Sequence, residues 1–316
     1  MNVNLEQLRS FVEVARLANF TRAAEQLHLT QPSLSRQIAT LEQDLGAELF
    51  HRAHGGSRLT AAGESLLPLA RRMLADADSA RHELAELAGL RRGKVRLGAT
   101  PTLCISLVAE VMSVFHAAHP HVELHLSEQG SRQLLDELEA GELDIAMITT
   151  SDASSAERFT VTPLLTEQLV VVSSAAQPPL TTREGIRLRD VAALPQIALA
   201  LSYDLRSATD AAFRAAALTP NVILEGAQMD AVLRFVELGL GVAIVPASVL
   251  VDRPQLRAVR LEAPSLTRTI SLARPSNVSL AAAVGVMQGI IVATASGFAA
   301  RSGSTMTVVG AGQTRP

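Results

Sequence analysis

Residues 33 to 40 hold the most chemically pointed set in the chain. Ser33, Arg36, Gln37 and Thr40 fall on one side of a helical repeat, while Leu34, Ile38, Leu41 and Leu45 occupy the other. A guanidinium grips guanine through two parallel hydrogen bonds, a Gln amide pairs with adenine, and hydroxyls reach base edges or phosphates. A solvated surface arginine is the bland alternative for Arg36. Two other groups could do chemistry. His116, His119, His121 and His125 have a metal-like composition, since imidazole is a common zinc ligand. Pro120 interrupts them, however, and no cysteine or second acid stands at a fixed close spacing, so an exposed polar strand edge is the better reading and no metal is expected. Cys104 follows Thr100-Pro101-Thr102, where a helix N-terminus could depress a thiol pKa and make a redox sensor. It is the single cysteine, so nothing in the chain can resolve a sulfenic acid, and a buried small side chain is favoured. Motifs of the G-x-S-x-G, G-x-x-x-x-G-K-[ST], H-E-x-x-H and strand-linked G-x-G-x-x-G types are missing, so no enzyme, no catalytic residue and no cofactor is expected.

These residues need elements to hold them. Leu5, Leu8, Phe11, Val12 and Ala15 give a first helix with an apolar stripe. Thr21 can cap a second helix from Arg22 to Leu27, thin on the side of Ala23 and Ala24. After His28-Leu29-Thr30-Gln31, Pro32 begins a third helix that Gly46 ends. Leu49-Phe50-His51-Arg52 and Ser57-Arg58-Leu59-Thr60 then flank Ala53-His54-Gly55-Gly56 as a ribbon around a glycine turn. Helix, helix, turn, helix and wing is a DNA-binding layout.

A long helix follows from Ala61 to about Leu90, in which Leu66, Ala70, Met73, Ala77, Ala80, Leu84 and Leu87 alternate by four and three. Such a seam suits a dimerising helix more than one packed on its own domain, and Gly89 and Arg91-Arg92-Gly93-Lys94 mark a linker. From Val95 the pattern turns to strands and helices in alternation. Val95 to Ala99, Val122 to Leu126 and Asp144 to Thr149 read as strands around two helices, which implies a parallel sheet. Leu169 to Ser173, Ile197 to Leu201, Val222 to Glu225 and Gly241 to Val245 supply a second α/β lobe. Pro275 to Ala300 lacks Asp, Glu, Lys and Arg before its end and is long enough to cross a bilayer, yet its polar interruptions and the spacing of Leu280, Val284, Met287 and Ile291 favour a packed amphipathic helix.

Composition bounds the partners. With 316 residues, two or three structural units are expected, and 48% hydrophobic against 19% charged residues excludes wholesale disorder. A net charge of -3 provides no global basic field, so nucleic-acid binding must come from a local surface. Residues 1 to 60 themselves hold six Arg and six acids. The lone cysteine and the polar Asn2-Val3-Asn4-Leu5-Glu6 point to a reducing cytoplasm.

Leu5-Glu6-Gln7-Leu8-Arg9-Ser10-Phe11-Val12-Glu13-Val14-Ala15, Phe20 to Leu27, Thr30-Gln31-Pro32-Ser33-Leu34-Ser35-Arg36-Gln37-Ile38 and Leu59-Thr60-Ala61-Ala62-Gly63 together resemble the N-terminal domain of LysR-type transcriptional regulators. Gly141-Glu142-Leu143-Asp144-Ile145-Ala146 and Gly239 to Pro246 are similar to that family's effector domain, so the resemblance covers about residues 1 to 300. It implies an α/β fold class with an all-α winged helix-turn-helix domain at 1–60, a long dimerisation helix at 61–93, and a two-lobed effector domain like periplasmic binding proteins at 94–300, with lobe I about 94–163 and 266–300 and lobe II about 164–265. Residues 301–316, rich in Gly, Ser and Thr, are expected to be a disordered tail.

By the same resemblance Thr21, Arg22, Gln31, Pro32, Ser33, Ser35, Arg36 and Gln37 would meet double-stranded promoter DNA, with Arg52 of the wing at a phosphate or minor groove. Thr100, Pro101, Thr102, Gln129, Gly130, Ser131, Leu201, Ser202 and Tyr203 would line the cleft for a small polar or carboxylated effector, with Gln228 and Met229 as weaker candidates. A cytoplasmic homodimer or homotetramer that activates or represses transcription is the expected whole, with no membrane partner.

Overall fold

The computed structural model describes residues 3–53, 56–87, 93–150, 158–201, 203–276, 280–301 and 305–309. The chain forms two compact units, residues 1–93 with 136–143 and residues 94–135 with 144–316.

The first unit opens with helix α1 (Leu5–Leu17). Asn4 caps it reciprocally with Gln7, the Asn4 side chain accepting from the Gln7 backbone N–H at 2.9 Å and the Asn4 N–H donating to Gln7 Oε1 at 3.0 Å. Helix α2 (Phe20–Gln26) is capped by Asn19, whose side chain accepts the Arg22 N–H at 3.0 Å. The expected cap at Thr21 is therefore corrected by two residues, because Asn19 has the extended backbone that a cap needs while Thr21 already lies in the helix. Helix α3 (Gln31–Leu45) starts one residue before Pro32, with Thr30 as its cap, and Gly46 closes it at a φ of 68°. Strands β1 (Phe50–Ala53) and β2 (Gly56–Leu59) form the expected antiparallel wing, His51 facing Arg58 and Arg52 facing Ser57.

Leu8, Phe11, Val14, Ala23, Ala24, Leu34, Ile38, Leu41, Leu49 and Phe50 make this unit's core. Phe50 anchors the wing on it, with ring centroids 5.4 Å from Phe11 and 5.6 Å from Phe20. Helix α4 (Ala61–Leu87) leaves the wing at a close crossing, where a side chain on Gly63 would collide with the Leu49 carbonyl oxygen. Ala70 of α4 is fully buried in this same core, beside Leu66, Leu67 and Leu74. The expected dimer seam is thus split: Leu66 and Ala70 pack within their own unit, while Met73 is about half exposed, at 49%, and Leu69, which the seam did not include, is 54% exposed. Side chains at Leu84 and Leu87, and the linker at 88–92, lie outside the described residues.

The second unit is built on a mixed sheet whose strands run, in spatial order, Glu123–Glu128, Lys94–Ala99, Ile145–Thr150, Thr267–Pro275, Phe159–Ser174, Leu256–Glu262 and Gly185–Arg187, with Ala243–Pro246 and Met306–Val308 also pairing Phe159–Ser174. Strands β3 (Lys94–Ala99), β4 (Glu123–Glu128) and β5 (Ile145–Thr150) are parallel, as expected. The uniformly parallel sheet is not found, because β5 and β6 (Phe159–Ser174) both run antiparallel to β12 (Thr267–Pro275). Strands β10 (Ala243–Pro246) and β11 (Leu256–Glu262) also pair β6 antiparallel, and β7 (Gly185–Arg187) adds to β11 in parallel. The expected lobe boundary at 163 falls inside β6, which continues unbroken for sixteen residues. A separate parallel pair, β8 (Gln196–Leu199) and β9 (Val222–Ala227), leads into helices α9 (Asp204–Ala215) and α10 (Met229–Glu237).

Between β3 and β4 the chain makes α5 (Pro101–Leu103), one π-helical turn (Cys104–Val108) kinked at Ser106, and α6 (Ala109–Ala118). Helix α7 (Ser131–Glu139) joins β4 to β5, the short α8 (Leu188–Ala192) follows β7, and α11 (Ala282–Arg301) closes the unit. Pro101–Ala118 and Ala282–Arg301 are both long and apolar enough to cross a membrane by length and composition. Leu103, Leu107, Val111 and Phe115 of the first and Val284, Met287, Ile291, Ala295 and Phe298 of the second belong to the core of the α/β unit, as the spacing in α11 foretells. The expected tail is corrected at its start: Met306–Val308 form strand β13, antiparallel to Leu165, Thr166 and Glu167, with Met306 buried.

Candidate nucleic-acid interface and effector cleft

Helix α3 turns two faces in opposite directions. Leu34, Ile38 and Leu41 are completely buried, whereas Gln31, Pro32 and Arg36 are exposed and Ser33, Ser35 and Gln37 are half-buried. The α3 residues expected to meet DNA therefore share its outward side, but they are not equally free. The Gln37 side-chain Oε1 accepts the Ser10 hydroxyl, while its amide N–H groups remain able to donate to a base. Gln31 donates to Ser35 Oγ at 3.0 Å. Arg36 has no acidic partner among the described residues, and its backbone carbonyl accepts Thr40 Oγ1 at 2.9 Å. Thr21 and Arg22 are exposed on α2. The Arg52 side chain lies outside the described residues.

The equal count of Arg and acids in this segment conceals a sorting. Arg16 is held by Glu13 at 2.5 Å, which raises its pKa through hydrogen bonding and charge, and Arg9 reaches Asp78 of α4 at 3.3 Å. Arg22, Arg36 and Arg58 carry no ion pair among the described residues. Arg58, exposed on β2, was absent from the sequence expectations; its place opposite His51 on the ribbon was the available signal. A surface with unpaired arginines on α2, α3 and the wing attracts phosphates while the unit stays near neutral.

In the α/β unit the carboxyl ends of β3, β4 and β5 converge. Parallel register sets Ala99 beside both Glu128 and Met147, the Gln129 N–H donates to the Ala99 carbonyl at 3.3 Å, and the Thr100 N–H donates to the Met147 carbonyl at 3.3 Å. Ser131 Oγ lies 3.1 Å from Thr149 Oγ1 and accepts the Thr149 N–H at 3.1 Å. Thr100, Pro101, Thr102, Gln129, Gly130 and Ser131 thus gather at one sheet end, where open α/β sheets bind ligands. Thr100 and Thr102 are 5% and 2% exposed, and neither hydroxyl has a hydrogen-bond partner among the described residues. Thr100 does not cap α5 with its side chain.

From the second lobe Tyr203 donates its hydroxyl to Gln228 Oε1 at 2.6 Å and accepts the Met229 N–H at 3.4 Å. Burial, with Glu128 and Asp230 adding charge, raises the Tyr203 phenol, and the Met229 N–H opposes them. Met229 itself is core. Leu201 is 77% exposed, and Ser202 lies outside the described residues. Glu128, Cys104 and Thr149 belong to this cluster and were missed as cleft residues.

Cys104 follows the favoured reading of a packed side chain rather than the reactive-thiol alternative. Burial pushes its pKa up to about 12, helped by the Glu128 carboxylate, so the thiol stays protonated at neutral pH. The four histidines do not assemble: His116, His121 and His125 are exposed, and His119 packs its ring 5.0 Å from Phe115. Among the described residues no group of three His, Cys, Asp or Glu could hold a metal ion.

Two family models cover most of the chain: the bacterial regulatory helix-turn-helix protein of the lysR family over residues 5–64, and the LysR substrate binding domain over residues 88–295. An uncharacterised HTH-type transcriptional regulator, YybE of Bacillus subtilis, is 32% identical over 268 residues, covering 85% of this chain and 91% of that protein. A probable nitrogen assimilation transcriptional activator of Synechocystis sp. is 30% identical over 256 residues, covering 80% and 82%. Among solved structures, a full-length OxyR variant from Pseudomonas aeruginosa superposes with a TM-score of 0.69 at 26% identity, covering 92% of this chain and 98% of that one. Both units and their order agree with these matches: the chain belongs to the LysR family of bacterial transcriptional regulators, and is a regulator, not an enzyme.

Proposed function

We propose that this regulator reads an operator through Arg36, supported by Gln31, Pro32, Ser33, Ser35 and Gln37 on α3, by Thr21 and Arg22 on α2, and by Arg52 and Arg58 on the wing. The observation that carries this is Arg36 itself: exposed, without an acidic partner among the described residues, on a helix whose opposite face is sealed in the core. Two copies joined along α4 through Leu69 and Met73, which α4 leaves exposed, would set two reading helices one DNA turn, roughly 34 Å, apart. Paired effector domains would extend the dimer to a homotetramer, in the cytoplasm. A small polar effector bound at Thr100, Pro101, Thr102, Gln129, Gly130, Ser131, Leu201, Ser202 and Tyr203 would favour one arrangement of that assembly and so change promoter contact. What supports this cleft is the pair of buried hydroxyls on Thr100 and Thr102, polar groups that a ligand would satisfy.

DNase footprinting of the full-length protein on DNA upstream of its own coding region, with scrambled competitor, tests the reading. Protection of an imperfect inverted repeat that Arg36→Ala abolishes, with the oligomer intact, is the expected result. An unchanged footprint with Arg36→Ala would remove α3 from base readout.

A further inference from the structure

Glu128 is the last residue of β4, beside Ala99 and one step from Thr100. The Cys104 thiol donates to the carbonyl of the same Ala99 at 3.8 Å, and the charge of Glu128 helps to raise both that thiol and the Tyr203 phenol of the opposite lobe. Glu128 is exposed and has no cationic partner among the described residues. Of the guanidiniums of this unit, Arg206 binds Asp210 and Glu225, Arg253 binds Asp230 and Glu237, and Arg268 binds Glu167, while Arg132 on the first turn of α7 is exposed and makes no ion pair with Glu128. The cluster therefore presents a negative charge next to two buried hydroxyls that lack partners. A carboxylated effector would meet repulsion there, because two like charges a few ångströms apart disfavour each other strongly once water is displaced.

We propose that the effector of this regulator carries an ammonium or guanidinium group, which Glu128 holds while Thr100 and Thr102 accept from or donate to its polar skeleton. The inference rests on the reading that the effector lies at this sheet end. Glu128 is the selecting residue: it favours a cation over its neutral or anionic counterpart, and the hydroxyls fix the orientation of whatever it admits.

The chain offers its own reporter, since Tyr203 is the single tyrosine and there is no tryptophan. Intrinsic fluorescence of the full-length protein thus reads this site alone. Matched probes with different end groups, aminopentanol and agmatine against hydroxypentanamide and hydroxypentanoate, are titrated while Tyr203 emission and the melting temperature are followed. The expected result is a saturable Tyr203 response to the two cationic probes, weakened at least about tenfold by Glu128→Gln and by Thr102→Val, with little response to the amide and less to the carboxylate. Equal responses to cation, amide and carboxylate, a cation response indifferent to Glu128→Gln, or no cation response at all would each overturn the ammonium assignment. A carboxylate response that needs Thr102 but not Glu128 would overturn it while keeping the cleft. A melting shift without any Tyr203 response would overturn both, by placing binding elsewhere. The Glu128→Gln protein must melt like the parent in the absence of probe, which the exposure of Glu128 predicts.

Discussion

Glu167 and Arg268 are 101 residues apart in sequence and joined in the middle of the sheet, Arg268 Nε donating to Glu167 Oε1 at 2.7 Å. The Glu167 side chain has no solvent exposure, and its second oxygen accepts the Ser248 N–H at 2.9 Å. These bonds tie β6, β12 and the turn after β10 at the point where the chain crosses between lobes. A charge pair that deep is weak evidence for stability by itself, because desolvation offsets attraction, but breaking it strands the survivor.

Arg268→Met should accordingly cost about 3–5 kcal/mol in urea unfolding, since it leaves the Glu167 carboxylate buried with a single backbone donor. The double variant Glu167→Leu with Arg268→Met should recover most of that loss. Equal destabilisation of single and double variants would show that packing, not charge, holds the crossing.

On DNA, Arg36→Ala should reduce discrimination against a mismatched operator by about 1–3 kcal/mol. Arg58→Ala should instead weaken all sequences alike and lower the slope of log affinity against log salt by about one. Gel-shift titrations at several salt concentrations separate the two, and a sequence-selective loss from Arg58→Ala would contradict the phosphate assignment.

The hydroxyl of Thr102 is buried and without a partner, so Thr102→Val should stabilise the effector-free protein by about 1 kcal/mol while blunting its response to effector. Chemical denaturation decides it. A loss of stability would mean that this oxygen is already satisfied.

Cys104 makes a prediction against pH. Its thiol is raised from 9.0 to about 12, so between those values the unfolded chain gives up a proton that the folded chain keeps. The folded form binds more protons there, and stability falls as pH rises. The contribution of Cys104 is complete below 9.0 and is lost as pH passes through about 12. Cys104→Ala should flatten that alkaline slope, and in the parent protein alkylation near neutrality should be on the order of a hundredfold slower than for a free thiol. Rapid labelling at neutral pH would contradict the burial.

Leu69→Asp and Met73→Asp, both at exposed positions of α4, should dissociate the oligomer in sedimentation while each protomer keeps its melting temperature, because neither side chain belongs to the core of its own unit. An intact oligomer in both variants would move the interface away from this face.

What could be read beforehand follows from what is local. The faces of α3 are a matter of spacing, and Leu34, Ile38 and Leu41 needed nothing beyond a helical period to be placed inside. The seam of α4 was only half legible, because a four-three alternation serves equally for a partner helix and for α1 of the same chain, and Ala70 took the second course. Strand β12 and the first half of β6 were invisible for another reason. Pro163 reads as a strand breaker, yet the register slips between Ile270 and Ser271, and the strand passes through the irregularity. Ile270, Ser271, Leu272 and Ala273 are buried on both faces, so no alternation marks them. Glu128 was overlooked because an acid at a strand end looks like ordinary hydration. Only the folding of Cys104 and Tyr203 toward it, from distant parts of the chain, makes it a site.

Strand β13 has a consequence for how the protein must be handled and degraded. Met306, Thr307 and Val308 occupy the ladder positions beside Glu167, Thr166 and Leu165, on the flank of β6 away from β12. A protease that clips the chain just before Met306 would not merely shorten a tail. It would bare a row of unpaired N–H and C=O groups on the longest strand of the sheet, next to a buried charge pair, and such a row recruits strands from other molecules. Those three residues act as a selvedge, and their loss would turn the regulator into a seed for its own precipitation.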